Sequence, residues 1–147
     1  MTLPHVEILL VEDNPADVEL TLDAFHESKL TNRIQVARDG AEALAYLFPP
    51  ETEPDRPLEH PPRVILLDLK LPKVDGLEVL RRIKADNRTR RIPVVVLTSS
   101  REEQDIVRTY NLGVNSYIVK PVDFQQFSEA VRTMGLYWLL INQAPPY

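Results

Sequence analysis

Residues 64–76 read Val-Ile-Leu-Leu-Asp-Leu-Lys-Leu-Pro-Lys-Val-Asp-Gly. The run Val64-Ile-Leu-Leu67 is apolar throughout, as a strand covered on both faces should be. A single acid, Asp68, closes it. Seven residues on, Asp75 and Glu78 have the spacing of a capping box, in which two side chains satisfy orphan amides at a helix start. The same unit recurs along the chain. Val94-Val-Val-Leu97 is closed by Thr98 and followed by the pair Ser100/Glu103. Val6 to Val11 is closed by Glu12-Asp13, and Asn14-Pro15 gives an N-cap followed by a proline preset for the first helical position. Arg33 to Ala37 precedes Asp39/Glu42, and Ser116 to Val119 is closed by Lys120-Pro121 and precedes Asp123/Gln126.

Helical segments are therefore expected near 15–28, 40–48, 76–87, 101–112 and 124–142, with Gly113 as a left-handed helix stop. Five strands alternating with five helices imply an α/β fold whose parallel sheet is covered on both faces. With 147 residues, the chain is one domain's worth and can bury a substantial core. Phe48 to Pro62 breaks the pattern with Pro49, Pro50, Pro54, Pro57, Pro61 and Pro62, and is expected to be an extended insertion loop.

Composition narrows the function. The net charge of −5 argues against nucleic acid as a direct partner, and the absence of cysteine excludes disulfides and thiolate chemistry. His5, His26 and His60 lack zinc-ligand spacing. No apolar stretch approaches the length of a membrane span, and the N-terminus lacks a signal-peptide pattern, so a cytoplasmic location without a membrane partner is expected.

In an open α/β sheet, ligands sit at the carboxyl ends of the strands, where Glu12, Asp13, Asp68, Thr98 and Lys120 would converge. Three clustered carboxylates repel one another, and Mg²⁺ (or Mn²⁺), which prefers oxygen ligands, relieves that repulsion. A carboxylate such as Asp68 can attack phosphorus to form an acyl phosphate. Lys120 brings a flexible positive charge and Thr98 a rotatable hydroxyl. Tyr117, mid-strand, should face away from Ser116 and Ile118. The basic cluster Arg81, Arg82, Lys84, Arg88, Arg90 and Arg91 is interleaved with apolar residues and is expected to be a solvated helix face.

Other chemistries fit less well. Glycines occur only at 40, 76, 113 and 135, so there is neither a Walker loop nor a dinucleotide fingerprint. No Gly-x-Ser-x-Gly elbow surrounds Ser99 or Ser100. A phosphatase of the haloacid-dehalogenase type usually carries a second Asp two residues after its nucleophile, where this chain has Lys70. In a flavodoxin-like flavin binder, Glu12-Asp13 would repel the flavin phosphate.

The motifs Val-Glu-Asp-Asn at 11–14, Leu-Leu-Asp-Leu-Lys-Leu-Pro-Lys-Val-Asp-Gly at 66–76, Leu-Thr-Ser-Ser at 97–100 and Val-Lys-Pro-Val-Asp at 119–123 resemble those of response-regulator receiver domains of two-component signalling. The resemblance covers nearly the whole chain. It implies a flavodoxin-like (βα)5 three-layer sandwich of strand order 2-1-3-4-5. It implies phosphoacceptor Asp68 and metal ligands Asp13 and Asp68. Glu12 would act mainly through metal-bound water, and the Lys70 carbonyl would complete the protein ligands. Thr98 and Tyr117 would be the switch pair, Lys120 the phosphate-contacting lysine, and Lys120-Pro121 a cis peptide. Such a domain is a phosphoacceptor with Mg²⁺-dependent self-chemistry rather than a turnover enzyme. The alternative is a degenerate receiver that mediates contacts without phosphorylation.

More narrowly, the Glu-Asp-Asn-Pro-Ala-Asp start, the Pro-rich insertion and the long aromatic last helix resemble the small receivers that partner phytochrome histidine kinases. No further domain follows in this sequence, so output is expected by contact. Leu136, Tyr137, Trp138 and Leu140 crowd the 124–142 helix with apolar surface on all sides. A homodimer is expected through the face of the 101–112 helix, the 116–119 strand and the 124–142 helix.

Overall fold

A computed structural model describes residues 7–27, 33–49, 61–71, 73–99, 105, 113–114 and 116–133. The elements run β1 (Ile8–Val11), α1 (Pro15–Glu27), β2 (Ile34–Ala37), α2 (Gly40–Leu47), β3 (Val64–Asp68), α3 (Gly76–Ala85), β4 (Val94–Thr98), β5 (Ser116–Val119) and α4 (Phe124–Thr133). The five strands form one parallel sheet of order β2-β1-β3-β4-β5, as the strand pattern and the resemblance imply.

Successive side chains of a strand point to opposite faces, so the apolar runs feed two cores. Leu9, Val11, Ile65, Leu67, Val94 and Val96 pack against Ala43, Leu44 and Leu47 of α2 and Val79, Leu80 and Ile83 of α3. Ile8, Leu10, Val64, Leu66, Val95, Leu97 and Ile118 pack on the other face, with Val18 and Phe25 of α1 and Phe127 of α4. There the rings of Phe25 and Phe127 meet with centroids 4.5 Å apart, tilted by 47°. Each fully buried large apolar side chain contributes roughly 1.5–3 kcal/mol. The result is a three-layer sandwich, with α1 and α4 on one face and α2 and α3 on the other.

The helix starts follow their side chains. Asn14 Oδ1 accepts from the amides of Ala16 (2.9 Å) and Asp17 (3.3 Å), opening α1 at Pro15. Asp39 Oδ1 accepts from Glu42 N at 2.7 Å, while Glu42 Oε2 reaches back to the amide of Arg38 rather than that of Asp39. Asp123 Oδ1 accepts from Gln126 N at 2.8 Å. Asp75 departs from expectation: it stands at the N-cap of α3 with extended backbone but makes no side-chain cap hydrogen bond. Gly113 has φ 77°, the left-handed conformation expected of a helix stop.

The α3 segment ends earlier than expected, at Ala85, because Asp86 turns the chain. Its Oδ1 accepts from the amide of Arg88 at 2.8 Å and from Arg88 Nε at 3.0 Å, and its Oδ2 from Arg88 Nη2 at 2.9 Å. Buried Thr89 donates its hydroxyl to the Ile83 carbonyl at 2.7 Å. The basic cluster is accordingly not a single solvated face. Arg81, Arg82, Arg90 and Arg91 are exposed, but Lys84 is half-buried over the Arg90 and Ile92 carbonyls, and the Arg88 guanidinium lies 5.0 Å from the centre of the Phe48 ring. A fork held by a carboxylate and stacked on an aromatic ring is a packing element rather than a free charge.

Of the expected 101–112 helix, only Asp105 is among the described residues, and it is helical. The central part of the Pro-rich insertion (50–60) and residues 134–142, with Leu136, Tyr137, Trp138 and Leu140, lie outside them. No helix among the described residues is long and apolar enough to cross a membrane.

Candidate phosphoacceptor and metal site

Parallel register brings the strand ends to one level. Val11 pairs with Leu67, Asp68 with Leu97, and Thr98 with Val119. The residues next along therefore share one edge of the sheet. Glu12 N donates to the Ala37 carbonyl at 3.0 Å, and Lys120 N to the Thr98 carbonyl at 2.9 Å, extending the ladder into the site.

Glu12, Asp13 and Asp68 each offer a carboxylate oxygen, and these oxygens lie within 4.8 Å of one another. Glu12 and Asp68 are buried, at 1% and 4% exposure, while Asp13 is exposed. Glu12 Oε1 accepts from Asn14 N at 3.1 Å. Its Oε2 lies 2.7 Å from Lys120 Nζ, a close ion contact at an angle outside hydrogen-bond geometry. Burial pushes the Glu12 carboxyl up to about 7; the Lys120 ammonium opposes this and the charge of Asp68 adds to it.

Asp68 is held at both oxygens. Oδ1 accepts from the backbone amide of Lys70 at 3.1 Å, and Oδ2 from Lys120 Nζ at 2.9 Å. Lys120 Nζ also donates to Asp17 Oδ2, 3.1 Å away in the first turn of α1. Burial works against the Lys120 charge, but the neighbouring carboxylates of Glu12, Asp68 and Asp17 outweigh that and hold the ammonium above its ordinary value. The peptide between Lys120 and Pro121 is cis.

Thr98 is fully buried at the end of β4. Tyr117 is half-buried and packs toward the α2/α3 core, while Ile118 belongs to the α1/α4 core, so the two point to opposite faces as alternation requires. Gly76 keeps the floor of the site close: a Cβ there would overlap the Asp68 carbonyl oxygen and come within 2.6 Å of Leu69 Cα. Lys73, with φ 67°, closes the β3–α3 turn and lies 3.4 Å from Asp39 Oδ2.

The donor set fits a hard divalent cation. All three ligand atoms are carboxylate oxygens, two of the acids are buried, and Glu12 Oε2 has ion contact but no hydrogen bond. Sequence reasoning leads to Glu12, Asp13, Asp68 and Lys120, which the structure brings together, but not to Asp17. An acid in the first turn of a helix is a generic stabiliser and carries no functional signal by itself. The clue available was its place four residues beyond Asp13, one turn into a helix that begins at the site.

A five-stranded 2-1-3-4-5 sheet with an acidic cluster and a lysine at its carboxyl edge defines a phosphoacceptor class of α/β domain. The chain belongs to the response regulator receiver domain family, whose profile matches residues 8–132. Among solved structures it is similar to the bacteriophytochrome response regulator AtBRR, with 57% identity and a TM-score of 0.82, covering 95% of this chain and 100% of that one. It is also similar to the Mn(2+)-bound form of response regulator Rcp1, at 38% identity and a TM-score of 0.69, covering 97% of this chain and 100% of that one. A curated relative, the probable methanogenesis regulatory protein FilR2 of Methanothrix harundinacea (strain 6Ac), is 49% identical over 94% of this chain and 86% of its own length. The chain is thus a receiver related to the phytochrome response regulators.

Proposed function

We propose that the chain accepts a phosphoryl group on Asp68 from the phosphohistidine of a histidine kinase, of the phytochrome type, and signals by contact with other proteins. The observation that carries this reading is the grip on Asp68: an amide on Oδ1 and the Lys120 ammonium on Oδ2, beside the carboxylates of Glu12 and Asp13. The likeness to AtBRR supports the phytochrome partner.

In this mechanism the Lys70 amide fixes the rotation of Asp68 and presents Oδ2 to the donor. The Oδ2–P bond forms as the P–N bond breaks, and the electron pair returns to the imidazole, which then takes a proton. Phosphoryl transfer needs little covalent help and much charge neutralisation, and the Lys120 ammonium supplies part of it. Glu12, Asp13 and Asp68, with the Lys70 carbonyl, would hold Mg²⁺ (or Mn²⁺), whose charge offsets the crowded carboxylates and the phosphoryl oxygens. The chain is a phosphoacceptor and not a turnover enzyme.

The acyl phosphate adds roughly two negative charges at the strand ends. The Thr98 hydroxyl turns to bond it, Tyr117 follows, and the face of the 101–112 segment, β5 and α4 changes. This is a population shift biased by one local charge. The chain pairs with a second copy of itself in the cytoplasm through this region of the sequence, to which Leu136, Tyr137, Trp138 and Leu140 contribute apolar side chains. Sedimentation showing only monomer at micromolar concentration would exclude that dimer.

Intact-protein mass spectrometry after incubation with acetyl phosphate and Mg²⁺ tests the central reading. Wild type gains one phosphoryl mass, EDTA abolishes it, and Asp68→Asn lacks it. An adduct of equal yield on Asp68→Asn would remove Asp68 from the role.

A further inference from the structure

We propose that Asp17 is a positioning residue for Lys120: it anchors the ammonium beside Asp68 from outside the metal-ligand cluster. This rests on the phosphoacceptor reading and extends it to a residue on a helix. An acid in the first turn of α1 could favour the helix while pointing into water. Asp17 instead turns Oδ2 to Lys120 Nζ at 3.1 Å, across 103 residues of sequence, with its side chain only 27% exposed.

The position of Asp17 is fixed from both ends. Asn14 Oδ1 accepts from its amide at 3.3 Å, and its carbonyl accepts the hydroxyl of buried Thr21 at 2.8 Å. The carboxylate therefore projects from a pinned backbone, whereas Lys120 reaches the site on a flexible four-carbon stem.

The three partners of the ammonium among the described residues are not equivalent. Glu12 and Asp68 belong to the cluster whose oxygens lie within 4.8 Å of one another; Asp17 does not. A divalent cation held by that cluster would compete for the charge of Glu12 and Asp68 and repel the ammonium. Asp17 remains as the partner that keeps Lys120 at Asp68 Oδ2, where a phosphoryl oxygen must be met. Without it, the lysine has no anchor on the helix side among the described residues and swings toward solvent.

The test uses the full chain labelled with ¹⁵N-lysine, saturated with Mg²⁺, as wild type, Asp17→Ala and Asp17→Asn. Asp17→Asn keeps the volume of the side chain, so a folding defect of the alanine variant does not end the experiment. In wild type the Lys120 ammonium, assigned by its loss in Lys120→Arg, gives a resolved ¹H–¹⁵N signal because it is shielded from exchange. In both Asp17 variants that signal broadens beyond detection, and phosphoryl loading from acetyl phosphate slows about tenfold, as expected for a misplaced charged group. Retention of the ammonium signal in both variants overturns the proposal, whatever happens to loading. Loss of the signal, in a chain whose wild type takes no phosphoryl group, leaves the positioning role standing and removes the phosphoacceptor reading instead.

Discussion

Replacing Glu12 by glutamine should stabilise the metal-free protein above neutral pH. Glu12 is 1% exposed, and its carboxyl is raised from the ordinary 4.5 to about 7, chiefly by burial. The folded chain therefore keeps this proton over a range in which the unfolded chain has lost it. Unfolding releases a proton between pH 4.5 and 7, so this group's contribution to stability falls as pH rises through that window and is level above it. The rise corresponds to a cost of about 3 kcal/mol for holding the charge at pH 8. Lys120 does not move across this window, because its ammonium is held above its ordinary value. Glutamine keeps the shape and removes the charge. Urea unfolding followed by circular dichroism, in EDTA, should show Glu12→Gln more stable than wild type by about 2–3 kcal/mol at pH 8 and equal to it at pH 4.5. Parallel pH profiles for the two proteins, with no crossover or convergence, would refute the burial argument.

Phe127→Ala empties the centre of the α1/α4 face and removes the ring partner of Phe25, so it should cost about 3–5 kcal/mol in the same unfolding assay. Gly76→Ala forces a methyl group into the backbone of Asp68 and Leu69; it should lose about 2 kcal/mol or more and slow phosphoryl loading, which mass spectrometry would follow. Thr98→Ala should leave Asp68 able to take the phosphoryl group while abolishing the phosphorylation-dependent shift of the Tyr117 ring resonances. Retention of that shift would sink the switch.

The sheet was legible because β3 and β4 are apolar at every position but the last, which is polar in each, so the strand ends could be located nearly to the residue. Acids and a lysine at those ends then marked the candidate site. Features that rest on a side chain's choice among equivalent partners were not legible. Asp75 has the sequence of a capping residue but makes no side-chain cap, whereas Asp86, with no such signature, ends α3 by gripping Arg88. Arg88 looked like one charge of a solvated row, yet a ring 40 residues earlier in the chain lies beneath it. Asp17 has two occupations open to it, water or Lys120, and only the tertiary placement of the first turn of α1 near Lys120 decides between them.

The two-faced burial of β3 has a consequence for how the chain finds its pairing. Strands with one wet face are held in register by hydrophobic alternation, since a one-residue slip would turn apolar groups outward. Val64, Ile65, Leu66 and Leu67 are all fully buried, so an apolar side chain is acceptable on either side and alternation gives no such penalty. What a slip of β3 would do is draw Asp68 into the sheet interior, away from Lys120, stranding a carboxylate in a dry core. The acids that close β1 and β3 thus act as stops against sliding, and residues of the candidate site also mark for the folding chain where those two strands must halt.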